Sequence, residues 1–376
     1  MRKKLRIGYV GWIGKHNLGD DACFFATSYL LKRYLKVDYK LIVKKYALIL
    51  RPNSWVERHP GLVNYDFLIC GGGTLLSPWA LPWDRFFRLA GKKGVPYVIF
   101  GTGVRNPHFY KPAGCKLTKE TKNLLKSVIE KARFVGVRGE ESKQTLLEVG
   151  CDEKKIEVIG DPALVYYKQI NKNPNKKKEK KERIIGINIG GISINTRYGE
   201  IYGRDEGIVI KTITKLTRYL LSKNFKVIFI PLWIGDLLAQ WSVVNIFGEN
   251  QNIVSINKLL GLSSLIKVIS KCDFLIGERL HSIVFAASAS VPFLSFAYRP
   301  KCIDFARSVD CGEYVVKTNE KDPAKRLIKK FNKAWKEKEK IKKRIERNVK
   351  EYQSRLENFA KRTAKAIEDE TKEVQE

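Results

Sequence analysis

Histidine is scarce in this chain; the four are His16, His59, His108 and His281. His281 alone lies between two apolar elements, in Phe274-Leu-Ile-Gly-Glu-Arg-Leu-His-Ser282, where a β-rich run ends and a small-residue helix is expected over Ile283–Ser290. Imidazole is the side chain best suited to exchange protons near neutral pH. Glu278 and Arg279 stand beside it, and Tyr298-Arg-Pro-Lys301 adds two cations downstream. A cluster of this kind could bind an anion and move a proton. A structural histidine is the competing reading.

Three further segments place chemistry-bearing residues after apolar runs. Gly11-Trp-Ile-Gly-Lys-His-Asn-Leu-Gly-Asp20 precedes a helix expected to start near Asp21. Glycines let a ligand approach the backbone, and a helix N-terminus favours anions. The spacing matches neither a Walker loop nor GxGxxG, so nucleotide binding does not follow; Asp20 or Asp21 could equally cap the helix. Cys70-Gly71-Gly72-Gly73-Thr74 holds more glycine than a tight turn needs, so Gly72 and Gly73 are substrate-binding candidates against a reading of close strand–helix packing. Gly101-Thr-Gly103-Val-Arg105 repeats the theme, with Arg105 as an anion ligand. In Val137-Arg138-Gly139-Glu140-Glu141-Ser142, the fork of Arg138 suits a carboxylate or phosphate, or else an ion pair with a nearby acid.

The elements that must position these residues alternate between β-rich runs and helix-like segments to about residue 310. Strands are expected at Leu5–Val10, Leu41–Val43, Phe67–Cys70, Tyr97–Phe100, Phe134–Val137 and Ile156–Ile159, then at Ile184–Ile189, Val227–Pro231, Ile253–Ile256, Phe274–Ile276 and Pro292–Phe296. Several are apolar throughout, as strands buried on both faces of a parallel sheet must be. Many run into glycine, the unit of a doubly wound α/β sheet, whose ligands gather at the strand ends. Asn171–Arg183 interrupts the pattern with seven basic and two acidic residues. It reads as a solvated linker between an N-terminal domain (1–170) and a C-terminal one (184–320). From Lys321 the chain turns basic again, with 17 basic and 6 acidic residues to Arg362. Leu327, Phe331, Trp335, Ile341, Ile345, Val349, Tyr352, Leu356 and Ala360 recur there at helical spacing. The tail (321–376) therefore reads as one or two amphipathic helices packing on the body, with membrane or partner docking as the alternative.

The 376 residues exceed one ordinary core, and 44% hydrophobic with 11% aromatic content excludes wholesale disorder. Seventy-one Lys and Arg against 39 Asp and Glu leave a net charge of +32, which suggests an anionic partner. Half of that excess lies in the linker and in the stretch Lys321–Arg362. The seven cysteines include no CxxC, which argues against a disulfide framework or zinc cluster and for a reducing, cytoplasmic setting. The basic start followed by Leu5–Val10 fits a first strand better than a signal peptide. The uncharged run Ser282–Tyr298 is short and weakly apolar for a membrane span.

The ordered set Asn17-Leu-Gly-Asp20, Gly71–Gly73, Gly101-Thr-Gly103, Val137-Arg138 with Ser142, Gly160-Asp-Pro162, Gly277-Glu-Arg-Leu-His281, Val291-Pro292, Tyr298 and Lys301 resembles the polysaccharide pyruvyl transferase family over about residues 7–310. The resemblance implies a GT-B-like fold, two Rossmann-like domains facing across a cleft with C-terminal helices packed back. It implies transfer of a pyruvyl group from phosphoenolpyruvate to sugar hydroxyls of a cell-envelope glycan or its lipid-linked precursor, as a ketal, without a redox cofactor. His281 and Arg279 match the family's catalytic histidine and an anion-binding arginine. Arg138 matches a second such arginine; Lys301, Leu280, Asp20, Gly72, Gly73, Arg105 and Glu278 are the remaining substrate-binding candidates. Gly139 follows Arg138 where many relatives have an acid, so the partner of Arg138 is open.

Phosphoenolpyruvate carries a carboxylate and a phosphate, which accords with cations read independently at strand ends. One alternative is a GT-B glycosyltransferase using a nucleotide sugar. Another is a non-catalytic basic protein binding nucleic acid or acidic membrane. Against nucleic acid, the lysine runs lack the interleaved aromatics of a single-strand platform. The charge allows peripheral contact at the inner face of a membrane. His281→Ala and Arg279→Ala are both expected to abolish turnover with little change in melting temperature.

Overall fold

The computed structural model describes residues 4–43, 64–109, 116–170, 182–191 and 204–373, excepting the side chains of 170 and 371–373. His59, Cys115 and the linker stretch 171–181 lie outside these residues. The described chain forms two compact units. One holds residues up to Lys15, Asp20–Pro162 and the chain from Tyr352 onward; the other holds His16–Gly19 and Ala163–Glu351.

The first unit is built on a sheet of strands β1 (Leu5–Val10), β2 (Tyr39–Val43), β3 (Phe67–Gly71), β4 (Thr74–Leu76), β5 (Tyr97–Val104), β6 (Val135–Val137) and β7 (Ile156–Val158). The order is β2-β1-β3-β5-β6-β7, with β4 beside β5 and every pairing parallel. Helices α1 (Leu18–Tyr34), α2 (Pro82–Lys92), α3 (Lys119–Lys131) and α4 (Glu140–Glu148) make the crossovers. A parallel sheet sandwiched between helices buries both faces, and every residue of β3 and β5 is accordingly buried. Local sequence sets the helix starts. Thr118 caps α3 by accepting the Thr121 N–H, and Pro82 with Asp84 opens α2.

In the second unit, the short helix α5 (Tyr166–Ile170) precedes strands β8 (Ile184–Asn188), β9 (Lys226–Phe229), β10 (Ile253–Ser255), β11 (Phe274–Gly277), β12 (Phe293–Ala297) and β13 (Val315–Lys317). They pair in the order β10-β9-β8-β11-β12-β13, all parallel. Helices α6 (Glu206–Ser222), α7 (Asp236–Val244), α8 (Leu262–Lys271), α9 (Leu280–Ser288) and α10 (Pro300–Ser308) alternate with the strands, and α11 (Pro323–Lys336) and α12 (Lys338–Glu373) close the chain. In strand sequence this order is 3-2-1-4-5-6, the doubly wound arrangement whose ligand crevice lies where the order reverses. Here that point is the carboxyl ends of β8 and β11. In the first unit the reversal falls at β1 and β3.

The structure departs from the sequence expectations in specific places. The expected strand Tyr97–Phe100 runs on to Val104, so the Gly101–Gly103 segment lies inside β5 rather than beyond it. Gly101 has φ +66°, and the β5–β6 register shifts between Phe100 and Thr102, a bulge that only glycine accommodates easily. Helix α1 starts at Leu18, three residues before Asp21, and α9 starts at Leu280 rather than Ile283. Strands β4 and β13 are additions to the expected set.

The division of the chain also differs from boundaries at 170, 184 and 320. The first unit's long N-terminal stretch runs to Pro162, and the helical tail is divided between the two units at Tyr352. In the second unit Phe331 stacks on Trp335, and Phe225 meets both edge-on at 5.6 and 4.8 Å. In the first, Phe359 meets Phe100 edge-on at 5.1 Å and Arg355 donates to the Val158 carbonyl at 3.0 Å. Leu327, Phe331, Ile341, Ile345, Val349, Leu356 and Ala360 are buried, so the amphipathic stripe packs on the body. No described helix is long and apolar enough to cross a membrane.

Candidate active site

Helix α9 is apolar nearly all round and wholly buried, which seats its first turn firmly over the sheet. Leu280 and His281 are its first two residues, and Arg279 immediately precedes it. This puts the Arg-Leu-His element at the reversal point of the second sheet, at the N-terminal end of a helix.

Arg279 is held by the fully buried Asp236. Its Nε lies 2.6 and 2.8 Å from the two carboxylate oxygens, and its Nη2 is 2.5 Å from Oδ1. Nη2 also donates to the Gly191 carbonyl at 3.2 Å, and the guanidinium lies 5.1 Å from the Trp233 ring centre. Asp236 accepts further hydrogen bonds from the N–H groups of Gly191, Leu232 and Trp233 and from the Asn188 amide. Asn188 in turn accepts the Arg279 N–H at 3.0 Å. Burial pushes the Arg279 pKa down, but the Asp236 charge and hydrogen bonds outweigh it and hold the guanidinium charged. The Arg279 side chain keeps 17% of its surface exposed, leaving an edge that an anion can reach.

Glu278 is engaged differently from the expectation that it contacts substrate. It is 1% exposed; one oxygen accepts the Gly190 N–H at 2.7 Å, and the other pairs with the Arg204 guanidinium. Burial raises its pKa, with Arg204 and the Gly190 N–H opposing. With both oxygens occupied, its carboxylate supports the loop rather than pointing to a ligand.

His281 is 7% exposed and lies beside Phe285 on its own helix. Its ring is packed against Gly19. A Cβ placed on Gly19 would stand 1.9 Å from Nδ1, so glycine is required there by close approach. Gly19 therefore acts as the floor for the imidazole. Leu280 is buried beneath the turn, and Lys301 sits in the first turn of α10, its ammonium 6.0 Å from the Tyr298 ring.

In the first unit, Arg138 follows β6 and is nearly buried. It donates to the Gly73 carbonyl at 3.2 Å and the Thr74 hydroxyl at 3.0 Å, and its Nη1 lies 3.9 Å from the Asp161 carboxylate. Asp161, in the Gly160-Asp-Pro162 motif, is thus the acid opposite Arg138, in place of one at position 139. It also accepts from the Cys23 thiol at 3.3 Å. Burial, then the nearby Asp161 and Asp20 charges, push Cys23 well up, so it is a neutral thiol. Gly72 and Gly73 have φ of +68° and +63°, and added Cβ atoms would press on Cys23 and Asp20. The glycine run is explained by this turn, whose carbonyl at Gly73 orients Arg138. Asp20 lies in the first turn of α1 rather than at its cap. The Arg105 charge acts on the buried carboxyl of Asp84.

The structure thus brings Glu278, Arg279, Leu280 and His281 together in one unit, and Asp20, Gly72, Gly73 and Arg138 in the other. Sequence reasoning missed Asp236, Arg204, Asn188 and Asp161 as partners. Asp236 carried the same signal as Glu278, a glycine then an acid shortly after an apolar run. His108 is exposed and pairs with Glu148, and His16 is exposed.

A model of the polysaccharide pyruvyl transferase family matches residues 17–300 of this chain. The chain belongs to this family. It is a transferase of the polysaccharide pyruvyl class, and the match spans both the Arg138 and the Arg-Leu-His elements. No curated protein sequence matches it. Solved structures similar to this pyruvyl transferase include UDP-GlcNAc 2-epimerase from Neisseria meningitidis bound to UDP-GlcNAc, with TM-score 0.56, 12% identity and coverage of 90% and 93% of the two chains. S. aureus MnaA with UDP gives 0.59, 12%, 91% and 90%, and Anabaena HepE with UDP-glucose gives 0.52, 11%, 97% and 99%. At such identities the likeness establishes the GT-B-like fold alone.

Proposed function

We propose that this pyruvyl transferase uses phosphoenolpyruvate as donor and forms a pyruvyl ketal on a cell-envelope glycan or its lipid-linked precursor. The observation that carries this is the reversal point of the second sheet, where the exposed edge of a fixed guanidinium, a helix N-terminus and an imidazole come together. A donor with a carboxylate and a phosphate matches those donors chemically.

In this reading His281 delivers a proton to the enol methylene, leaving a cationic carbon that one sugar hydroxyl attacks while losing its proton. The C–O bond to phosphate then breaks, phosphate leaves with the electron pair, and a second hydroxyl closes the ketal with loss of its proton. Arg279 stabilises charge on the donor, with Lys301 as a further cation. Arg138 is proposed as an anion ligand of the first unit. The basic tail is proposed to favour an anionic membrane where lipid-linked acceptors reside.

The test is phosphate release from phosphoenolpyruvate in the presence of galactose- or mannosamine-containing acceptors. Release that depends on acceptor and is abolished in His281→Ala supports the reading. Release of nucleoside diphosphate from a sugar nucleotide, with none of phosphate from phosphoenolpyruvate, would assign glycosyl transfer instead.

A further inference from the structure

The second unit carries an apolar surface that the proposed chemistry does not use. Helix α7 buries Asp236, Ala239, Gln240 and Val243 and turns Leu238 and Trp241 outward, 67% and 60% exposed. Ile234 just before the helix is 51% exposed and Ile246 just after it 49%. The Gln240 amide ties the helix to strand β10, donating to the Ser255 hydroxyl at 2.7 Å and the Ile256 carbonyl at 2.8 Å. Strand β10 is the edge of its sheet, and its outward Val254 is 39% exposed. Edge strands are ordinarily protected by charge or proline. Ile253, Val254 and Ser255 supply neither.

The charge pattern identifies what covers this face. Residues 227–257 contain no lysine or arginine, in a chain where 71 of 376 residues are one or the other. An anionic lipid surface would select cations around an apolar stripe, and this stripe has none. A molecule of net charge +32 repels its own copies, and can approach one closely only through a face without cations. We infer that the α7–β10 face is a self-association surface, on which a second copy of this chain packs its own Leu238 and Trp241 about a two-fold axis. Interface centres are depleted of charge and enriched in aromatic anchors, the place Trp241 would take.

Sedimentation velocity of the full chain tests this, with the double variant Leu238→Glu/Trp241→Glu and the control Phe25→Glu, an exposed residue of the first unit. The wild type and the control are expected at twice the 43.2 kDa chain mass, the double variant at one mass with unchanged far-UV circular dichroism. Raising the salt should leave the dimer intact or tighten it, because screening weakens the general repulsion. A monomeric wild type at tens of micromolar, a dimer that survives the double substitution, loss in the control as well, or dissociation at high salt would each overturn the inference. So would a monomer whose binding to anionic vesicles is lost in the double variant, since that assigns the stripe to lipid.

Discussion

Asp236 and Arg279 are coupled closely enough to change the expected behaviour of Arg279→Ala. Removing the guanidinium leaves a fully buried carboxylate without its charge partner, a defect that costs about 3–5 kcal/mol. The melting temperature should therefore fall markedly, against the small change expected from sequence alone. Arg279→Lys keeps a cation opposite Asp236 and should fold while losing the fork; its KM for phosphoenolpyruvate should rise at least tenfold. Gly19→Ala makes a complementary test. Its new methyl collides with the His281 ring, so kcat should drop about 100-fold with the fold retained, because small misplacements of a reacting group are that costly. Far-UV circular dichroism and steady-state kinetics together check this. Unchanged kcat would show that the position of the imidazole is unimportant.

Among the elements, α2 carries a pH dependence. Asp84, in its first turn, is fully buried and accepts the Ser77 and Leu81 N–H groups at 3.0 and 2.8 Å. Burial dominates and pushes its carboxyl up to about 8. A folded-state value above the unfolded one means that its contribution to stability is full below about pH 4 and lost progressively up to about pH 8. The melting temperature should accordingly decline over that window, and Asp84→Asn should flatten the slope. The strands feeding both sites were legible because buried parallel strands are apolar on both faces and end in glycine. What escaped was long-range pairing. Nothing near Arg279 announces Asp236, 43 residues earlier, or near Arg138 announces Asp161, because those partners are chosen by neighbouring strands rather than by spacing along the chain. The start of α9 was misplaced for a related reason. Arg-Leu-His reads as a polar loop until burial of Leu280 shows that it is the first turn of a helix.

For the whole molecule, the excess charge and the packing of the tail separate cleanly. Acids hold the last helix to the first unit: Glu370 pairs with Arg133, Glu368 accepts the Lys36 N–H, and Arg362 meets Glu157 at 2.7 Å. Leu356 and Phe359 are fully buried, and Phe359→Ala should destabilise by about 3–5 kcal/mol in denaturant unfolding. Exposed tail lysines face solvent instead. Replacing Lys340, Lys342 and Lys343 by Gln should leave unfolding unchanged and reduce the salt sensitivity of binding to anionic vesicles, measured by flotation. Equal binding and salt dependence in that variant would remove the tail from membrane contact.

The allocation of residues from Tyr352 onward to the first unit bears on synthesis. The segment up to Pro162 leaves the ribosome early, but Phe359, which covers Phe100, follows roughly 200 residues later. At about 5–20 residues per second the nascent first unit waits some 10–40 s with that face of its sheet uncovered. That interval is when a chaperone would be needed most.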